Sequence, residues 1–94
     1  MTTISLQSTV SAVKDQVSCN LGGEAVILSM KNGVYYSLNP VGARIWNLIC
    51  EPIVVYKIRD TIMREFEVES KRCEDELLAL LQDLANEGLI EVEP

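Results

Sequence analysis

Histidine is absent from this chain, and cysteine occurs three times, as Cys19, Cys50 and Cys73. Without an imidazole, no thiol or hydroxyl has the partner most often used to activate a nucleophile. The three cysteines are scattered and no two form a C-x-x-C half-site, so neither a zinc site nor a disulfide framework is expected. They read instead as small buried hydrophobes. Gly22-Gly23 is too short for a phosphate loop and lacks the Gly-Lys-Ser/Thr that would follow one. No catalytic residue, metal or cofactor is therefore expected. Long apolar runs are missing as well: nothing approaches the ~20 residues that cross a bilayer. The start, "MTTISLQSTVSAVKDQ", has neither the basic opening nor the apolar stretch and cleavage site of a secretion signal, which points to the cytoplasm. Positive charge is scarce, with 8 Lys and Arg against 14 Asp and Glu and a net charge of −6. An acidic surface is repelled by nucleic acid and by anionic membrane, so neither is an expected partner.

What is present is a core. Of the 94 residues, 48% are hydrophobic, which suits one small packed domain over residues 1–94. Alternation at Ile4, Leu6 and Val10, and again at Val17 and Cys19, suggests one or two short strands, and Leu21-Gly22-Gly23 marks a turn. Ala25 to Met30 is apolar on both faces, as a central strand is. Asn32-Gly33 predicts a type I′ hairpin turn, with positive φ at both central residues, leading to an antiparallel partner at Val34–Leu38. Asn39-Pro40 then opens a helix, with Asn as cap and Pro at the first helical position. Val41, Ile45, Leu48 and Ile49 follow at helical spacing beside Trp46, and Glu51-Pro52 ends the run. A second helix is expected from Val54 to Phe66, striped by Val55, Ile58, Ile62 and Phe66. A third begins at Ser70 as cap and stops at Gly88, and "LIEV" at 89–92 returns as a strand. The expectation is an α+β domain of winged helix-turn-helix character, a three-stranded antiparallel sheet on a three-helix bundle.

A winged helix often reads DNA with its third helix. Here that helix holds Lys71 and Arg72 against Glu74, Asp75, Glu76, Asp83 and Glu87, the wrong sign for phosphate. The strand-turn-strand also precedes the helices, whereas a DNA-reading wing normally follows its recognition helix. The helix is apolar over a wide arc. Cys73, Leu77, Leu80 and Leu84 form one stripe, and Leu78, Leu81 and Ala85 a second, displaced by roughly 100°. One stripe suffices for a core, so the other is free to line a groove. If the meander runs in order, Val34–Leu38 is an edge strand, and it carries no lysine to guard it. An extended peptide could add to that edge and rest on the helix. The expected peptide-binding residues are Val34, Tyr35, Tyr36, Ser37 and Leu38 on the strand. On the helix they are Leu78, Leu81 and Ala85, with Lys71 and Glu74 at the stripe's entrance, leaving Leu77, Leu80 and Leu84 to the core.

"GVYYSLNPVGARIWNLI", then "IRDTIMREFEV" and "LLALLQDLANEGLI", resembles the PqqD-like proteins, the RiPP recognition elements of ribosomal peptide natural-product pathways. The resemblance runs from about residue 15 to 92. Its most telling piece is Tyr36-x-Leu38-Asn39-x-x-Gly42-Ala43-x-Ile45-Trp46. "YYSLNPVGARIW" looks more like the stand-alone form in lasso peptide clusters than the form from pyrroloquinoline quinone synthesis, which reads closer to "LN-x-x-A-x-x-IL". Ser29-Met30 stands where many relatives have an acidic residue. The resemblance implies a non-catalytic adaptor. The leader of a precursor peptide would add as a fourth strand to the sheet's third strand and rest on the third helix. The adaptor would deliver the precursor to a separate leader peptidase and serve the ATP-dependent macrolactam synthetase. Rival readings are the same fold serving another peptide-modifying enzyme, such as a radical SAM enzyme, or a winged-helix DNA-binding regulator.

Overall fold

A computed structural model of the chain describes residues 3–93. The chain order is β1 (Thr9–Ala12), β2 (Gln16–Leu21), β3 (Glu24–Ser29), β4 (Tyr35–Leu38), α1 (Pro40–Leu48), β5 (Ile53–Val54), α2 (Val55–Glu65), α3 (Ser70–Asn86) and β6 (Ile90–Glu93). The class is α+β with three helices, as the sequence patterning suggests. The described residues form two antiparallel three-stranded sheets, β2-β3-β4 and β5-β1-β6, where a single sheet was expected. The second sheet escapes periodicity because β5 has two residues, too few to alternate, and because β1 meets β6 from the other end of the chain.

Local chemistry fixes the larger sheet. Gly22 and Gly23 take φ of 60° and 87° and close β2 onto β3 with Leu21 opposite Glu24. Both residues of that two-residue turn need the left-handed region, which glycine enters without steric cost. The turn between β3 and β4 is not the expected type I′. Asn32 keeps a negative φ, and only Gly33, at 70°, is left-handed. The Asn32 Oδ1 accepts from the Val34 N–H at 3.1 Å, and the Gly33 N–H donates to the Ser29 carbonyl at 2.9 Å. The asparagine acts through its side chain here, which relieves its backbone of strain.

Asn39 caps α1, its Oδ1 accepting from the Gly42 N–H at 2.9 Å, with Pro40 in the first turn. Ser70 does not cap α3: Glu69 holds that position without a side-chain bond. At the other end the Leu89 N–H reaches the Leu84 carbonyl and the Gly88 N–H the Ala85 carbonyl, the paired bonds of a Schellman stop. The first N–H groups of α2 have no side-chain cap. They are met by the Ser8 and Leu6 carbonyls, which ties the chain's beginning to the bundle. The core lies among the helices and both sheets, with Val10 of β1 and Ile90 of β6 buried in it. Ala25, Ile27 and Leu38 enter it from the β2-β3-β4 sheet, and Ile45, Trp46, Ile49, Ile58, Ile62, Leu77, Leu81 and Leu84 from the helices.

Candidate peptide-binding edge

Strand β4 lies at the edge of its sheet, paired with β3 on one side only. Its register is Leu28↔Tyr35, Ile27↔Tyr36, Val26↔Ser37 and Ala25↔Leu38. The Ser29 N–H donates to the Val34 carbonyl at 3.0 Å. Hydrogen-bonded pairs alternate along an antiparallel ladder, so Tyr36 and Leu38 also spend their backbone groups on β3. The N–H and C=O of Tyr35 and Ser37 therefore face outward, unpaired within the sheet. Side chains alternate as well. Leu38 is buried and Tyr36 half-buried on the inner face, while Tyr35 and Ser37 stand exposed on the outer one.

Beside this edge a cleft of about 350 Å3 opens between β4, α1 and α3. Leu38, Val41, Ile45, Leu77 and Leu80 make its apolar wall, with Cys73 and Glu76 further along α3 and Tyr36 at the other end. Of the three cysteines expected to be buried only Cys73 is, Cys19 and Cys50 standing exposed, and burial pushes the Cys73 thiol up from its ordinary pKa. Gly42 lets α1 come this close: a Cβ there would lie 3.1 Å from the Cβ of Leu38. The Tyr36 hydroxyl spans the gap, donating to Asp83 Oδ2 of α3 at 3.5 Å. Partial burial, and then the Asp83 and Glu87 carboxylates beside it, raise the phenol's pKa above its ordinary value.

The rotation of α3 differs from the one spacing suggested. Leu81, assigned to the groove, is fully buried in the core with Leu77 and Leu84. Leu80, assigned to the core, lines the cleft. Leu78 and Ala85 are half-buried on the helix's other flank. That flank also carries Glu74, whose carboxylate meets the Arg59 guanidinium of α2 at 2.8 Å, so it faces α2 and not β4. Lys71 lies on the same side, paired at the surface with Asp75 at 3.2 Å. The flank that does face β4 holds Glu76, Leu80 and Asp83. Glu76 and Asp83 are exposed, and an acidic flank by itself gives no sequence signal of a groove. The signal available was Leu80, an apolar residue set between two acids on one flank.

A second cleft, of about 870 Å3, has walls that mix Lys14, Lys31, Glu91 and Glu93. The other edge of the β2-β3-β4 sheet, β2, exposes Val17 and Leu21, and its first residue, Gln16, lines this second cleft. Among the described residues no cluster of His, Cys, Asp or Glu could hold a metal ion, and no helix is long and apolar enough to cross a membrane.

Known proteins place this geometry in context. A solved structure described as TbiB1 in complex with the TbiA(beta) leader peptide superposes with a TM-score of 0.79. It is 34% identical, over 86% of this chain and 94% of that one. No curated protein sequence matches the chain. The family model described as coenzyme PQQ synthesis protein D (PqqD) matches residues 24–90, from β3 through the first residue of β6. That span holds the edge strand, the cleft and all three helices, and the chain belongs to the PqqD family.

Proposed function

We propose that this chain is a non-catalytic adaptor that captures the leader of a ribosomally made precursor peptide by strand addition to β4. In this reading it delivers the precursor to a separate leader peptidase and to the ATP-dependent macrolactam synthetase of a lasso peptide pathway. The observation that carries the reading is the unpaired backbone of Tyr35 and Ser37 beside an apolar cleft. The likeness to a protein solved with a leader peptide supports it.

Magnitudes assign the work. The free N–H and C=O groups of Tyr35 and Ser37 offer up to four hydrogen bonds, at ~1 kcal/mol net each. Ordering an unstructured leader costs roughly 2–5 kcal/mol or more, which offsets most of that. Selective affinity then rests on side chains in the cleft, each worth about 1.5–3 kcal/mol when fully buried.

The test is titration with the precursor peptides encoded beside this chain's gene, on native protein and three variants. Leu80→Ser weakens leader binding by about 1 kcal/mol or more and shifts stability little, because the side chain is a cleft wall. Leu81→Ser destabilises by several kcal/mol, about 2–5, since it leaves a cavity and buries a hydroxyl. Leu78→Ser leaves affinity unchanged. Leader bound normally by folded Leu80→Ser protein would remove the cleft from the reading. The neighbouring genes decide the pathway: a radical enzyme in place of the peptidase and synthetase would move the adaptor to that system.

A further inference from the structure

The cleft is not uniform along its length, and its two ends ask for different side chains. On a strand added to β4, the residues opposite Leu38 and Tyr36 are two apart and share the inner face, whichever way that strand runs. The Leu38 end is floored by Leu38, Ile45 and Leu77, and the acid in its lining, Glu76, is paired with Arg72. Just beyond the lining at the Tyr36 end stands Asp83, 3.5 Å from the phenol, and Glu87 follows one turn on, its N–H on the Asp83 carbonyl at 3.1 Å. Other acids of α3 already hold cations: Glu74 has Arg59, Asp75 has Lys71 and Glu76 has Arg72. Among the described residues Asp83 and Glu87 are in no ion pair.

Resting on the strand-addition reading above, we propose that the captured leader carries a lysine or arginine two residues from the apolar side chain that fills the cleft, and that Asp83 and Glu87 select for it. The apolar end sets affinity and the acidic end sets which leader is accepted. An anionic residue at that position meets two uncompensated carboxylates, and like charges brought together discriminate more strongly than an exposed ion pair attracts. The long stem of a lysine or arginine also suits the site, since it can lie against the Tyr36 ring while its charge reaches the acids.

Two synthetic peptides test this by fluorescence anisotropy. Both use an uncharged Thr/Val/Ser host with a central Leu. One has Lys two residues away on each side, which makes it indifferent to strand direction, and the other has Glu there. Native protein is expected to bind the Lys peptide about tenfold tighter than the Glu peptide. In Asp83→Asn/Glu87→Gln protein the preference falls below about twofold, whereas a general loss of fold would weaken both peptides alike. Added salt narrows the native preference in the same direction. Equal affinity of the two peptides for native protein overturns the cationic subsite and leaves strand addition standing. Failure of both to bind overturns the β4 reading, and the subsite falls with it. A Lys preference undiminished in Ser37→Pro protein, whose open edge has lost a donor, would place the attraction outside the cleft and overturn the proposal.

Discussion

Trp46 shows how one side chain can hold a small bundle together. Its ring is 1% exposed, the largest of the fully buried side chains, and sits on the α1 face that meets the core. Removing that volume leaves a cavity the neighbours cannot fill, so Trp46→Ala costs roughly 3–5 kcal/mol. The indole N–H has no acceptor among the described residues, so the ring contributes by packing and not by a hydrogen bond. Trp46→Phe, which keeps most of the ring and removes that donor, is expected to cost less than half as much as Trp46→Ala. Chemical denaturation of the two variants checks this, and equal losses would mean that the N–H finds a partner in solution. Gly42 works at the same scale. A Cβ there would press on Leu38, which is why the Leu38-Asn39-x-x-Gly42 run reads as a unit: cap, close approach and cleft floor share three residues.

At the scale of the element, β4 has two kinds of backbone N–H, and proline can tell them apart. The Tyr36 N–H faces β3, whereas the Ser37 N–H faces outward. Proline is tolerated at edge positions whose N–H points to solvent and not where it feeds a ladder. Ser37→Pro is therefore expected to stay folded and to bind leader about tenfold more weakly, while Tyr36→Pro unfolds or strongly destabilises the domain. Circular dichroism with leader titration reads both, and the reverse pattern would show the ladder register to be shifted by one. Between elements, Arg44 of α1 grips Glu65 at the end of α2 with both carboxylate oxygens, at 2.8 and 3.0 Å. The guanidinium holds the Glu65 carboxyl below its ordinary 4.5. A depressed carboxylate contributes stability that is present above the unfolded value and lost as pH falls through the folded one. The stability gap between native protein and Glu65→Gln should accordingly be open at neutral pH and narrow as the pH falls below 4.5 and on through the lowered pKa of the folded state, as read by urea midpoints. The elements differ in how legible they are. Asn39-Pro40 and the Val55, Ile58, Ile62 stripe are local signals, and the structure follows them. The rotation of α3 is not local. Two stripes 100° apart fit the core equally well by spacing, and only the tertiary fold, which buries Leu81 and Leu84 fully and leaves Leu78 and Leu80 half-exposed, decides between them. Asn32-Gly33 misled for the opposite reason, since a side-chain bond to Val34 satisfied the turn without a left-handed asparagine.

At the scale of the whole molecule, what matters is where the charge of −6 resides. On the helices the acids outnumber their partners. Arg44, Arg59, Lys71 and Arg72 are each already engaged with a carboxylate. A winged-helix reader of DNA needs the opposite, a third helix with free cations to neutralise phosphates. Here α3 meets solvent with Asp75, Glu76 and Asp83, and its two cations are bonded within the helix to the acids one turn on. The fold alone would permit DNA binding, so the surface decides. A fluorescent duplex titrated at about 0.15 M salt is expected to give no measurable binding, and lowering the salt should not recover it, because screening hides a repulsion here and not an attraction. Specific micromolar binding would overturn the adaptor reading, since it would mean that the acidic flank of α3 is not the surface this domain uses. The same repulsion favours a partner that approaches β4 by its backbone, whose hydrogen bonds to Tyr35 and Ser37 are indifferent to the charge of the helices behind them.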